Sequence, residues 1–299
     1  MTAVAVENVK TIVAALDLET GSGTVLARSI QLAKAHAARL VLLHVIEAEP
    51  LSKAASPSRS ESDLRNRLKR QALATIEPLL IKSGRTRRTA MQVEFGPPHS
   101  IITRVAKERH ADVIVVGPGK GRSLKERALG STTDRVIRTT HASVLVVRKR
   151  SEEPYRRVAV AVDFSAQSAT VVQETCRLAP EAAVQLIHVI DIPLTFQQAM
   201  LRAGTPQVEI QEYRSARANK ARDDLSTFVR AVVGADKVTT RVLEGEPGPV
   251  LVRLSRARRV DLLAIGPHGR GLVRQALLGS VTLRMLKEAA SDVLVAKPH

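Results

Sequence analysis

Five short apolar runs punctuate the first half of the chain, near Ile12–Leu16, Leu40–Ile46, Met91–Phe95, Val113–Val116 and Val144–Val147. They are continuous rather than alternating, which is the pattern of parallel strands covered on both faces. The segments between them carry apolar residues at helical spacing. In residues 60–80, Leu64, Leu68, Ile76, Leu79 and Leu80 recur on one face, while Arg65, Arg67, Lys69 and Arg70 take other positions. Ser60 and Ser62 are the candidate caps of that helix. Strand and helix alternate from end to end, so the pattern predicts α/β architecture: an open parallel sheet with helices on both faces.

The second half repeats the first. "TIVAALD" returns as "RVAVAVD", and each is followed by a helical stretch and a second apolar run ending in "HVI" at His44 and His188. Gly96 pairs with Gly245, Gly117 with Gly266, Gly130 with Gly279 and Ser131 with Ser280, all at one offset of 149. A constant offset with glycines in register indicates duplication. Two tandem domains are expected, 1–150 and 151–299, joined by the charged stretch "RKRSEEPYRR" at 148–157.

Composition narrows the picture. Apolar residues make up 44% of the chain and aromatics 2%, with no Trp, so Val, Leu, Ile and Ala must fill the cores. One cysteine, Cys176, excludes an intrachain disulfide or a cysteine zinc cluster, and its apolar helical setting suggests core. No charged leader and no apolar run of about 20 residues is present, so a soluble, cytoplasmic protein without membrane attachment is expected. The net charge of +17 is uneven: residues 1–150 carry 26 Lys and Arg against 13 Asp and Glu, and residues 151–299 carry 20 against 16. That bias suits anionic partners, or simply a solvated basic surface. Nucleic-acid binding normally adds stacking aromatics, and two Tyr and four Phe offer little of that.

In open parallel sheets, ligands bind beyond the carboxyl ends of the strands, where the winding reverses. Asp163 ends the first strand of the second half and Gly266 ends the fourth, with Gly279 and Ser280 starting the last helix. Glycine admits backbone N–H groups close to an anion, and a helix N-terminus adds unpaired donors. The pattern therefore predicts a phosphate cradle, set against the alternative that the glycines only make tight turns. Asp17 and Asp163 lack a matched second carboxylate for acid–base work. His44 and His188, at the ends of apolar strands, read as satisfied histidines rather than metal ligands. His268 lies inside the glycine loop, within reach of a phosphate. "GPGKGRS" is not a P-loop, because no Gly-Lys-Ser/Thr follows at the required spacing.

On these residues the chain resembles a tandem universal stress protein, two such α/β domains fused, with a Rossmann-like sheet of order 3-2-1-4-5 in each. The nucleotide-binding members are similar at G-x2-G-x9-G-(S/T), which Gly266, Gly269, Gly279 and Ser280 fit. The resemblance implies a site for ATP, ADP or AMP, with Mg accompanying the nucleotide, formed by Asp163, Val189, Ile265, Gly266, His268, Gly269, Gly279, Ser280 and Val281. It also implies that occupancy acts as a regulatory switch. No dedicated catalytic base is evident, so any ATP hydrolysis is expected to be slow.

The first half departs from the motif. Lys120 stands where the second glycine should be, flanked by Gly119 and Gly121. A weaker site is expected there, from Asp17, Val45, Gly117, Gly119, Lys120, Gly121, Gly130 and Ser131. Two outcomes stay open: Lys120 forces the loop away, or the loop shifts and Lys120 adds a charge to the phosphate contact. Two other functions also stay open, a scaffold that binds no nucleotide, and a binder of nucleic acid or another anionic ligand through the basic first half. Domains of this family commonly pair through the last strand, here "SVLVVRK" and "SDVLVAK". That implies an intrachain pseudo-dimer and a homodimer of chains.

Overall fold

The computed structural model describes residues 8–18, 22–48, 59–119, 129–233, 238–257, 260–269 and 277–298. The chain divides into two compact units, Met1–Pro154 with Pro298–His299, and Tyr155–Lys297. In the first unit β1 (Thr11–Leu16), α1 (Ser22–His36), β2 (Arg39–Ile46), α2 (Arg59–Lys82), β3 (Thr89–Phe95), α3 (Pro98–Glu108), β4 (Val113–Val116), α4 (Ser131–Thr139) and β5 (Ser143–Val146) follow in order. The strands are parallel and lie in the order β3-β2-β1-β4-β5, with helices on both faces. Ile12 of β1 sits between Leu40 of β2 and Val113 of β4, and Ile12, Leu40, Leu42, Ile114 and Leu145 are fully buried. The continuous apolar runs are thus two-sided core strands, as their pattern predicts.

The second unit repeats the plan with β6 (Arg157–Ala161), α5 (Ala166–Leu178), β7 (Ala183–Ile190), α6 (Leu194–Arg202), α7 (Gln207–Val232), β8 (Val238–Glu244), α8 (Pro247–Ser255), β9 (Leu262–Ile265), α9 (Ser280–Glu288) and β10 (Asp292–Val295). Its strands run parallel in the order β8-β7-β6-β9-β10. The same polar clamps recur in both copies. Asp112 Oδ2 accepts hydrogen bonds from the N–H groups of Lys10 and Thr11, and Asp261 Oδ2 accepts them from Arg156 and Arg157. Each ties the start of the first strand to the entry of the fourth. His44 Nδ1 donates to the Leu16 carbonyl at 2.8 Å, and His188 Nδ1 to the Val162 carbonyl at 2.9 Å. A carbonyl only accepts, so both rings carry their proton on Nδ1. These histidines join the first and second strands, the satisfied role expected of them.

Four details differ from expectation. The second unit has two helices, α6 and α7, between β7 and β8 instead of one. Gly204, at φ +76°, and Pro206 break the stretch into two. The first-unit helix α2 starts at Arg59, so Ser60 and Ser62 lie inside its first turn rather than capping it. Its buried residues are Ala72, Ile76 and Leu80, and Leu64 stays 47% exposed. Cys176 is only partly buried. Within the charged connection, Tyr155 is buried, and its hydroxyl donates to Asp292 Oδ2 at 2.7 Å. No described helix is long and apolar enough to cross a membrane.

Candidate functional site

The switch point of the second sheet lies between β6 and β9, the strands where the order reverses. Past β6 the chain turns at Phe164, which holds φ +64°, a costly conformation for an aromatic residue. That turn aims Asp163 back at the sheet edge. Asp163 Oδ1 accepts hydrogen bonds from Ser165 N–H, Ser165 Oγ and Ser168 Oγ at 3.0, 2.6 and 2.6 Å. Ser165 also caps α5 by accepting from Ser168 N–H. One carboxylate oxygen is therefore fixed by the helix start, and the other, Oδ2, lies against Gly269. Phe164 stacks on His188 with ring centroids 4.3 Å apart, and Phe228 of α7 meets it edge-on at 6.0 Å.

The glycine loop leaves β9 at Gly266 and returns at Gly279, the N-cap of α9. Two hydrogen bonds clip its ends together. Gly279 N–H donates to the Pro267 carbonyl at 2.8 Å, and Thr282 Oγ1 donates to the Gly266 carbonyl at 2.7 Å. Between the clip and the ends of β6 and β7 lies a cavity of about 350 Å³, within the size range of small-molecule sites. Its walls include every residue predicted for the second-half site: Asp163, Val189, Ile265, Gly266, His268, Gly269, Gly279, Ser280 and Val281. Gln167 and Ser168 of α5, Pro247 and Leu251 of α8, and Thr282 also line it, and sequence reading had missed all five. Thr282 had a legible signal, since Thr133 stands 149 residues before it and makes the same hydrogen bond to Gly117. Leu251 and Pro247 had none, because an apolar wall residue reads like core.

Three helices, α5, α8 and α9, present their N-terminal turns to this cavity. The starts of α5 and α9 carry unpaired N–H donors and partial positive charge, whereas Pro247 and Pro249 leave α8 little beyond its dipole, so the cavity favours an anion. Lys297 is half-buried, and burial pushes its amine down to about 8. His268 is held below its ordinary range, first by burial and then by the charge of Lys297. Its Nδ1 is buried with no hydrogen-bond partner among the described residues, which leaves a polar atom for a ligand to satisfy.

The glycines here serve close approach rather than backbone reversal. None of Gly266, Gly269 and Gly279 has a left-handed φ. A Cβ at Gly279 would meet nothing nearer than His268 Cα at 3.5 Å, an ordinary contact. The fold by itself therefore does not require glycine at Gly279, a residue that lines the cavity.

The equivalent loop of the first unit is built differently. Gly117 follows β4, and Gly130 and Ser131 start α4. The same clip is present, with Gly130 N–H on the Pro118 carbonyl at 2.8 Å. But Gly119, at the position of His268, takes φ +89°, and its Cα lies 2.7 Å from where a Cβ of Gly130 would be, against 3.5 Å for the His268–Gly279 pair. Here the fold itself demands both glycines, and the loop ends press together. Asp17 accepts from Ser22 Oγ at 2.7 Å, and Val45 lies in β2, one residue after His44, the partner of Leu16. Lys120 and Gly121 lie outside the described residues.

The universal stress protein family model matches the chain twice, over residues 8–148 and 154–297. A universal stress protein of Mycolicibacterium smegmatis is 26% identical over 274 residues, 89% of this chain and 90% of that one. The crystal structure of a universal stress protein from Archaeoglobus fulgidus superposes with a TM-score of 0.67 at 18% identity, covering 96% of this chain and 98% of that chain. A universal stress protein solved in complex with cAMP matches 47% of this chain and 98% of that chain at 23% identity, with a TM-score of 0.37.

Proposed function

The chain belongs to the universal stress protein family, and from that premise we propose that its second domain holds ATP or a related adenine nucleotide, with occupancy acting as a regulatory switch. One observation supports the reading above all: the nine residues implied by the family resemblance line a single cavity at the sheet switch point. In this reading the Gly266–Gly269 backbone and the α9 N-terminus receive the phosphates, and Asp163 and Val189 face the nucleoside. A Mg ion accompanying the polyphosphate is held by the phosphates. The first domain, whose Gly119 and Gly130 are packed on each other, holds nucleotide weakly or not at all.

Calorimetric titration of the whole chain with ATP, and in parallel with cAMP, tests this on wild type and Gly279→Ala. The methyl group fits the ligand-free fold, so the variant melts within a few degrees of wild type, its lost glycine N-cap costing less than about 1 kcal/mol. It occupies the phosphate path, so ATP affinity falls about tenfold or more. Equal affinity in the two proteins, or no ATP uptake by wild type, defeats the proposal.

A further inference from the structure

The second-domain cavity leaves the excess charge of the first half without a role. That charge gathers at the other end of the first sheet, where helices finish and strands begin. Two segments meet there: residues 34–39, from the end of α1 to the start of β2, and residues 82–89, from the end of α2 to the start of β3. Leu40 N–H donates to the Arg88 carbonyl at 3.0 Å, so the two lie side by side. Between them they hold Lys34, Arg39, Lys82, Arg85, Arg87 and Arg88, all exposed, and neither segment contains an acid.

The side chains reach across the corner. Lys34 Nζ lies over the second segment, 2.8 Å from where a Cβ of Gly84 would be. Arg88 Nη1 donates to the Ala37 carbonyl of the first segment at 3.1 Å, and Arg39 Nη2 donates to Thr11 Oγ1 of β1 at 3.1 Å. Both guanidinium groups are held at the sheet end and keep further N–H donors. No carboxylate pairs with any of the six cations among the described residues.

The fold does not ask for this charge. Lys34 and Lys82 stand in the last turns of α1 and α2, where a cation offsets the negative helix end, but the four arginines lie beyond those turns. The second copy makes the same turn from helix to strand without them. Ala183 takes the register position of Arg39, opposite the first residue of the first strand, and Glu181 stands two residues before it. Arg177, at the end of α5, is paired with Glu174 at 3.1 Å.

The residue types select the partner. Like charges this close repel, and an anion shared among them relieves the repulsion. Arginine forks match phosphate oxygens bidentately. Among the described residues here, Ile81 is the one large apolar side chain left exposed. One such residue makes neither the apolar centre of a protein interface nor an insertion face for a membrane. Neither segment has an aromatic residue on which unpaired bases could stack. We propose that this corner of the first domain docks the phosphate backbone of duplex nucleic acid without reading its sequence. The inference is independent of the nucleotide reading.

The test is anisotropy of a labelled DNA duplex of about 20 base pairs, titrated with the whole chain from about 25 to 200 mM salt. Wild type binds at low salt, and log affinity falls against log salt with a slope of about −4 to −5, as when about five phosphates are neutralised. Arg85→Gln with Arg87→Gln lowers the affinity about tenfold and the slope by about 2, while the melting temperature stays within a few degrees. Lys82→Gln with Arg85→Gln stands in should that pair misfold. Arg67→Gln with Arg70→Gln removes the same charge from the middle of α2 and has less than about half the effect. Equal effects from the two pairs trace the binding to net charge alone and overturn the inference. No duplex binding at the lowest salt, tighter binding of a single strand of the same length, or tighter binding of phosphatidylserine vesicles each overturns it as well.

Discussion

At Gly119 the chain turns with φ +89°, and a Cβ there would lie 2.4 Å from Gly130 Cα. Its counterpart in the second repeat, His268, carries a full side chain. Gly119→Ala is therefore expected to destabilise the protein by about 1–3 kcal/mol in urea unfolding, from strain and backbone clash together. Gly279→Ala, in the better-looking motif, should cost much less. The sequence writes glycine at Gly119 and Gly279 alike and does not say which one the fold itself needs. The glycine spacing pointed to the loop, and the family resemblance supplied the remaining site residues, all of which line the cavity because strand ends and helix starts fix their positions. The burial of Lys297 escaped that reading, since it depends on packing at the end of the last strand rather than on a motif. Its titration makes a further prediction. The folded amine, at about 8, lies below the unfolded value of about 10.4. The unfolded chain binds more protons between those values, so stability gains from this group as pH rises from about 8 to 10.4. Unfolding midpoints of wild type minus Lys297→Met, measured across that window, should climb with pH.

Among the elements, the strands were legible because runs such as "VIVV" at Val113–Val116 are too short and apolar for anything but a covered parallel strand. The α6–α7 pair was not, since its break lies in the short "AGTP" turn between two polar helical patterns that read as one. The connection before β6 misled in the other direction. Its charges suggest a solvated linker, yet Tyr155 is 3% exposed and donates to Asp292, itself 2% exposed at the start of β10. A single tyrosine among seven charged neighbours carries no periodicity to announce burial. Removing the hydroxyl takes a donor from a buried carboxylate. Tyr155→Phe should lower stability by about 1–3 kcal/mol, read as a shift of the chemical unfolding midpoint with unchanged slope.

For the whole molecule, duplication left two copies of one scaffold with unequal sites. The clamps at Asp112 and Asp261, and at His44 and His188, are retained in both. The glycine loops differ, tight in the first copy and open onto a cavity in the second. Native mass spectrometry with excess ATP is expected to find one nucleotide per chain, and a second binding event of similar strength would contradict the unequal loops. The excess charge of the first half, +13 against +4, belongs to no part of this pocket. At Gly279 the room for a methyl group has an evolutionary side. A glycine codon becomes an alanine codon by one base change, so on the proposed nucleotide reading a descendant of this gene stands a single step from a protein that accumulates normally yet no longer takes up its ligand. Silent members of such a lineage would then arise without passing through any misfolded ancestor.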